Sequence, residues 1–165
     1  MSRWELRPQE EANLLNPPFC ALILSHAVED YAKSLRDGMP FALAFLVLPI
    51  VLHKPTREAL PQRTTRALSS WLDEREDLRA TFAERARSLS PYVREALLYS
   101  LIHDRLKLSD QGHLLLGRKA RGFTAYVAAA TDEVKDCLTK AQFVGRWLTS
   151  AGNVPTIFAL WGVRP

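Results

Sequence analysis

The residues best placed to do chemistry are His53, Lys54, Arg57 and Glu58, which follow each other closely in the stretch HKPTREALP. A histidine beside a carboxylate is the smallest general-base arrangement, so a hydrolase built on His53 and Glu58 is one chemistry this spacing allows. The rest of such a site is missing. The chain has no GxxxxGK[ST], GxSxG or HExxH motif, and those spacings are what cradle phosphates, strain a nucleophilic serine or ligate zinc. The other histidines, His26, His103 and His113, are scattered and read as structural or solvated. Cys20 and Cys137 lie in apolar helical contexts without a CxxC or Cys/His cluster, and read as buried thiols. No catalytic residue, cofactor or metal is therefore expected.

Two readings of the charged stretch stay open. It can dock a partner through His53, Lys54, Arg57 and Glu58, in which case charge reversal at Arg57 is expected to abolish copurification and leave the fold intact. Alternatively, its cations cap the C-terminus of the helix before it, where positive charge favours the helix dipole. Further cations fall in two clusters, Arg63 with Arg66 and Arg118, Lys119 with Arg121, and both can contact phosphates of a nucleic acid. The 22 basic and 18 acidic residues nevertheless interleave, for a net charge of only +4. That balance does not favour nucleic acid as the main partner.

These side chains must be positioned by the apolar run just before them, FALAFLVLPIVL, Phe41 to Leu52, which carries no charge and no side-chain hydrogen-bonding group. At 12 residues it is shorter than the roughly 20 needed to span a bilayer, so it reads as a central core helix, kinked at Pro49. Before it, residues 1–18 read as an arm. A helix then starts at Asn16-Pro17, carries Phe19, Leu22, Ile23, Ala27, Tyr31 and Leu35 on one stripe, and ends at Asp37-Gly38. After the core run, Thr64 or Thr65 can cap a helix with Leu68, Trp71 and Leu72. Leu78, Phe82, Ala86 and Leu89 form the next stripe, with Arg79, Glu84, Arg85 and Arg87 outward. Ser90-Pro91 reads as a fresh helix start.

Leu106 to Leu116 then reads as a small β-hairpin turning at Ser109-Asp110-Gln111-Gly112, and residues 117–130 as an irregular loop region. Thr131 or Asp132 caps a helix with Val134, Leu138, Ala141, Val144 and Leu148, closed by Gly152-Asn153. The ending VPTIFALWGVRP is too apolar to stand in water, so Phe158, Trp161 and Arg164 are expected either to meet a partner or to close the domain.

A 47% hydrophobic and 24% charged chain of 165 residues fits one mainly α domain with a small β-hairpin. Without a leader-like N-terminus it is expected in the cytoplasm. Short helices, a Ser-Pro-capped helix and a tight hairpin follow the order of a winged helix-turn-helix. The helix before the hairpin is nonetheless poor in polar residues for reading base edges, and the SDQG tip has no Lys or Arg for phosphate. A winged-helix-like segment used for protein contact is the better reading, with a nucleic-acid-binding module as the alternative.

Four blocks carry a family resemblance: EEANLLNPPF, LPIVLHKPTREALP, FAERARSLSPYVREALLYSLIH and AQFVGRWLTSAGNVPTIFALWGVRP. In that order, and with that ending, the chain resembles the middle component of bacterial three-component ABC ATPase systems. The resemblance leaves residues near 117–130 outside it. It implies a small non-enzymatic adaptor acting beside an ABC ATPase, of the kind related to chromosome-maintenance and repair ATPases, and a third companion subunit. It also implies a role in conflict with phages and other mobile DNA. No active-site residues come with it.

Overall fold

A computed structural model gives the structure of the protein and describes residues 8, 9, 15–120 and 124–164. Most of the N-terminal arm, and Arg121 of the second basic cluster, lie outside the described residues.

Helix α1, Pro17–Ser34, begins as its sequence dictates: the Asn16 side chain accepts the Phe19 amide at 2.8 Å, and prolines occupy positions that need no donor. It is buried over much of its circumference, including Cys20 and the run Ala21 to Leu24. The chain leaves it through Gly38, at φ +90°. A Cβ there would also sit 2.6 Å from the Leu114 carbonyl oxygen, so glycine is required twice over. Strand β1, Met39–Pro40, follows. The apolar run then splits into a 3₁₀ turn, Phe41–Leu43, and helix α2, Ala44–Val51, in which all residues but Phe45 are buried. Pro49 stays inside α2, leaving the Phe45 carbonyl without an intrahelical donor.

Helix α3 is Lys54–Ala59, α4 Leu68–Asp73 and α5 Glu76–Ala80. Neither Thr64 nor Thr65 caps α4; its N-cap is Ala67, with no side-chain bond. The larger difference from sequence expectation is α6, Phe82–Ile102, a single helix that runs through Ser90-Pro91 instead of restarting there. Pro91 is exposed, as is Arg87, whose carbonyl loses its donor. Water can satisfy that carbonyl, while Phe82, Ala86, Val93, Ala96 and Leu97 hold one continuous face in the core.

The hairpin forms as read, with β2 Leu106–Leu108 and β3 His113–Leu116 antiparallel. The sequence did not reveal that β1 pairs antiparallel with β3, Met39 opposite Leu114, making a three-stranded sheet of order β1-β3-β2. Within 117–130, Thr124–Ala129 forms a short helix, α7, so that region is not wholly irregular. Thr131 caps α8, Asp132–Leu148, and Asn153 caps α9, Val154–Leu160.

The core is organised by α1 against α8 and α6, with α2 packed on α6. Gly145 permits the first of these contacts, since a Cβ there would lie 2.1 Å from the Ala27 carbonyl oxygen. Beside it Arg146 pairs with the buried Asp30. The C-terminal segment packs on its own domain. Trp161 is fully buried, stacked on Phe82 with centroids 4.1 Å apart and edge-on to Trp71 at 5.9 Å; Trp71 in turn meets Trp147 at 5.4 Å. Among the described residues, no helix is long and apolar enough to cross a membrane.

Candidate partner interface

The first half of α6 separates two grooves of similar size, about 660 and 680 Å³, and each holds part of what the sequence singled out.

The first groove contains the junction after α2. A helix as apolar as α2 ends with carbonyls that must find donors away from water. Two arginines supply them. Arg57 donates from Nη1 to the Val51 carbonyl at 2.9 Å, and Arg85 donates from Nε to the Pro49 carbonyl at 3.2 Å. Arg57 is itself held by Asp136, at 2.8 Å to Nε, and Glu133, at 3.1 Å to Nη2, both on α8. Its burial works against its charge, yet these partners more than offset that and leave its pKa raised. Only 4% of its side chain is exposed. The expectation that Arg57 can be reversed without harm to the fold is thus corrected: the guanidinium ties α2 to α8.

Arg85 continues the network. From Nη2 it donates to Thr56 Oγ1 at 3.2 Å, which leaves the Thr56 hydroxyl proton for His53 Nδ1 at 2.7 Å. His53 Nδ1 also accepts the Thr56 amide at 3.4 Å, so the imidazole is the N-cap of α3. Both bonds need an unprotonated Nδ1. Burial, followed by the nearby Arg85 charge, lowers the His53 pKa in the same direction. Lys54 and Glu58 are exposed and pair with each other at 3.8 Å. The capping reading of the cluster therefore holds for Arg57, while His53 caps the next helix instead. Cys137 lines this groove, and burial raises its thiol pKa; Cys20 is pushed up to about 12 by burial and the Glu95 charge. Neither is a ready nucleophile.

The second groove lies between the Phe41–Leu43 turn with α2, the outer side of α6, and the C-terminal segment. Phe41, Phe45 and Phe158 contribute its apolar wall, and Arg87, Arg94 and Arg164 stand at its edge. All three arginines are exposed, and none of their side chains has a hydrogen bond or ion pair with another described residue. Of the three C-terminal residues named from sequence, Trp161 closes the domain, while Phe158 and Arg164 line this groove.

The remaining basic candidates are not gathered into one patch of free charge. Arg66 pairs with Glu74, and Arg118 with Asp104 at 2.6 Å, a contact that holds the Asp104 carboxyl below its usual range. The Lys119 backbone binds Asp104 and Arg105, and Arg63 is exposed. Among the described residues, no three or more His, Cys, Asp or Glu side chains come together as a metal site would require.

Sequence reasoning missed Arg85 at the junction and Arg87, Arg94, Phe41 and Phe45 at the second groove. For Arg85 there was a signal: at i+3 from Phe82 and i−4 from Leu89 it shares their stripe, although its charge had placed it outward. The second groove had none, since its walls come from three distant segments. No curated protein and no solved structure matches the chain. A family model does match it over residues 4–165, and the chain belongs to that family, the ABC-three component (ABC-3C) system Middle Component 3.

Proposed function

We propose that the protein is a non-enzymatic adaptor that joins an ABC ATPase to the third component of its system in the bacterial cytoplasm, and that the system acts against phages or other mobile DNA. The observation that carries this reading is the family match over nearly the whole chain, which makes it one subunit of a three-component ABC system. The junction chemistry agrees with it. His53 is committed to capping through Nδ1, Glu58 faces Lys54, and burial raises the pKa of both thiols. This supports a structural use of His53, the histidine of the only general-base pair that the sequence offered.

A winged-helix-like segment is the second reading, supported by the long helix before the hairpin and the third strand beside it. Its use on nucleic acid is the weaker form. The exposed side of α6 near the hairpin presents Leu98 and Ile102, not base-reading polar groups, and Arg66 and Arg118 already face carboxylates. Coexpression of the tagged protein with its chromosomal neighbours, followed by copurification at moderate and high salt, separates the two. Recovery of an ATPase and a third subunit in defined ratio supports the adaptor. Recovery of the protein alone, with nucleic acid that salt removes, would favour the nucleic-acid reading.

A further inference from the structure

We infer that the groove edged by Arg87, Arg94 and Arg164 is where the protein takes hold of a companion subunit, and that its occupant is an acidic amphipathic helix of that subunit. This deepens the adaptor reading and rests on it.

Arg57 and Arg85 are engaged at the junction, and Arg66, Arg118 and Arg146 face carboxylates. Arg87, Arg94 and Arg164 have no side-chain hydrogen bond or ion pair with another described residue and, unlike the exposed Arg36, Arg63 and Arg79, they gather at one groove. Arg87 and Arg94 are seven positions apart on α6, two helical turns, so they project from the same side of that helix. Arg164 comes to the same opening from the C-terminal segment. A concentration of unpaired guanidinium groups calls for carboxylates, which they can bind in bidentate fashion.

Phe41, 36% exposed, packs edge-on against Phe45 with centroids 5.7 Å apart, and both line the groove together with Phe158. Beyond Arg94 the same side of α6 continues to Leu98 and Ile102, which are 53% and 77% exposed. One strip thus runs from charged to aliphatic, as it does where an amphipathic helix lies in a groove. The aliphatic end favours protein over nucleic acid, which would need polar or aromatic groups at that position. The lining residues belong to helices, the 3₁₀ turn and the C-terminal segment, with no strand edge among them. An occupant entering an apolar groove must then satisfy its own backbone, as a helix does.

The test is copurification of the wild-type protein and of an R87E/R94E/R164E variant with the two neighbouring components, together with photocrosslinking from a benzophenone residue placed at Phe41. The three side chains are exposed and make no hydrogen bond or ion pair with another described residue, so the variant is expected to keep the wild-type unfolding midpoint. The inference expects its affinity for one component to fall on the order of 100-fold or more, and the crosslink to map to a helical segment rich in Asp and Glu. Reversal of Arg63, an exposed arginine outside this groove, should leave binding unchanged.

A wild-type complex that survives the triple reversal overturns this inference and leaves the adaptor reading standing. So does a crosslink to a segment without acidic residues. Failure of wild-type protein to join either component overturns both. If the reversal instead abolishes self-association seen by light scattering, or binding of single-stranded or duplex DNA, the occupant is a second copy or nucleic acid, and the inference is overturned in favour of that occupant.

Discussion

The two grooves beside α6 are nearly equal in size and both contain arginine, yet they differ in where that charge is spent. At the junction, Arg57 and Arg85 are bound by carbonyls, carboxylates and a threonine hydroxyl belonging to the same chain. At the second groove, Arg87, Arg94 and Arg164 have no such partners among the described residues. Charged residues crowded in sequence are therefore a poor guide to binding. Of the crowded ones, Arg57 and His53 are committed to the fold, while Arg87, Arg94 and Arg164, dispersed in sequence, gather at one groove without such partners among the described residues.

The largest break in this contrast should come from Arg57→Glu. It removes the donor to the Val51 carbonyl and sets a carboxylate beside Asp136 and Glu133, and should cost about 4 kcal/mol, measured as a lower urea midpoint. A midpoint near wild type would mean that the junction is not structural. Trp161→Ala should come close, at about 4 kcal/mol for an aromatic lost from a packed core; retained stability would show that the C-terminal segment is dispensable.

Thiol reactivity sharpens the same contrast. In the native protein near pH 8 both cysteines should react much more slowly with a disulfide reagent than in urea, because burial raises both pKa values. Arg57→Glu should expose Cys137 in particular, since it lies in the same groove. Rapid modification of wild-type protein would contradict the closed junction.

A smaller effect concerns His53. Its folded pKa lies below the ordinary 6.5, so in acid the unfolded chain takes up the proton first. The stabilisation is complete above 6.5 and is lost as pH falls through that value toward the folded pKa. His53→Asn keeps a capping acceptor that does not titrate. It should match wild-type stability at neutral pH to within about 0.5 kcal/mol and lose this part of the acid sensitivity, as followed by thermal midpoint from pH 7.5 to 5.5. An unchanged pH profile would remove His53 from the account. Smallest of all, Arg94→Glu should alter stability by less than about 0.5 kcal/mol, and a clear drop in the unfolding midpoint would show that the second groove is also spent on the fold.

The helical class, the Asn16 cap, a cap at Thr131 or Asp132, the hairpin and the buried thiols were all legible in the chain, because capping, turn formation and the hydrophobic stripe depend on neighbours a few positions apart. The continuity of α6 through Pro91 was not: Ser-Pro is locally a helix start, and only the core on the other face of the helix makes the lost hydrogen bond tolerable. Strand β1 escaped for a similar reason, since two residues have no periodicity and become a strand only when β3 is beside them. Sequence alone thus determined the helical class, the starts at Asn16 and near Thr131, and most of the apolar stripes. Tertiary structure decided which charges are used. Arg57 meets carboxylates 76 and 79 positions away, whereas the second groove joins residues near 41–46, 83–94 and 158–164, and no local spacing records such distances.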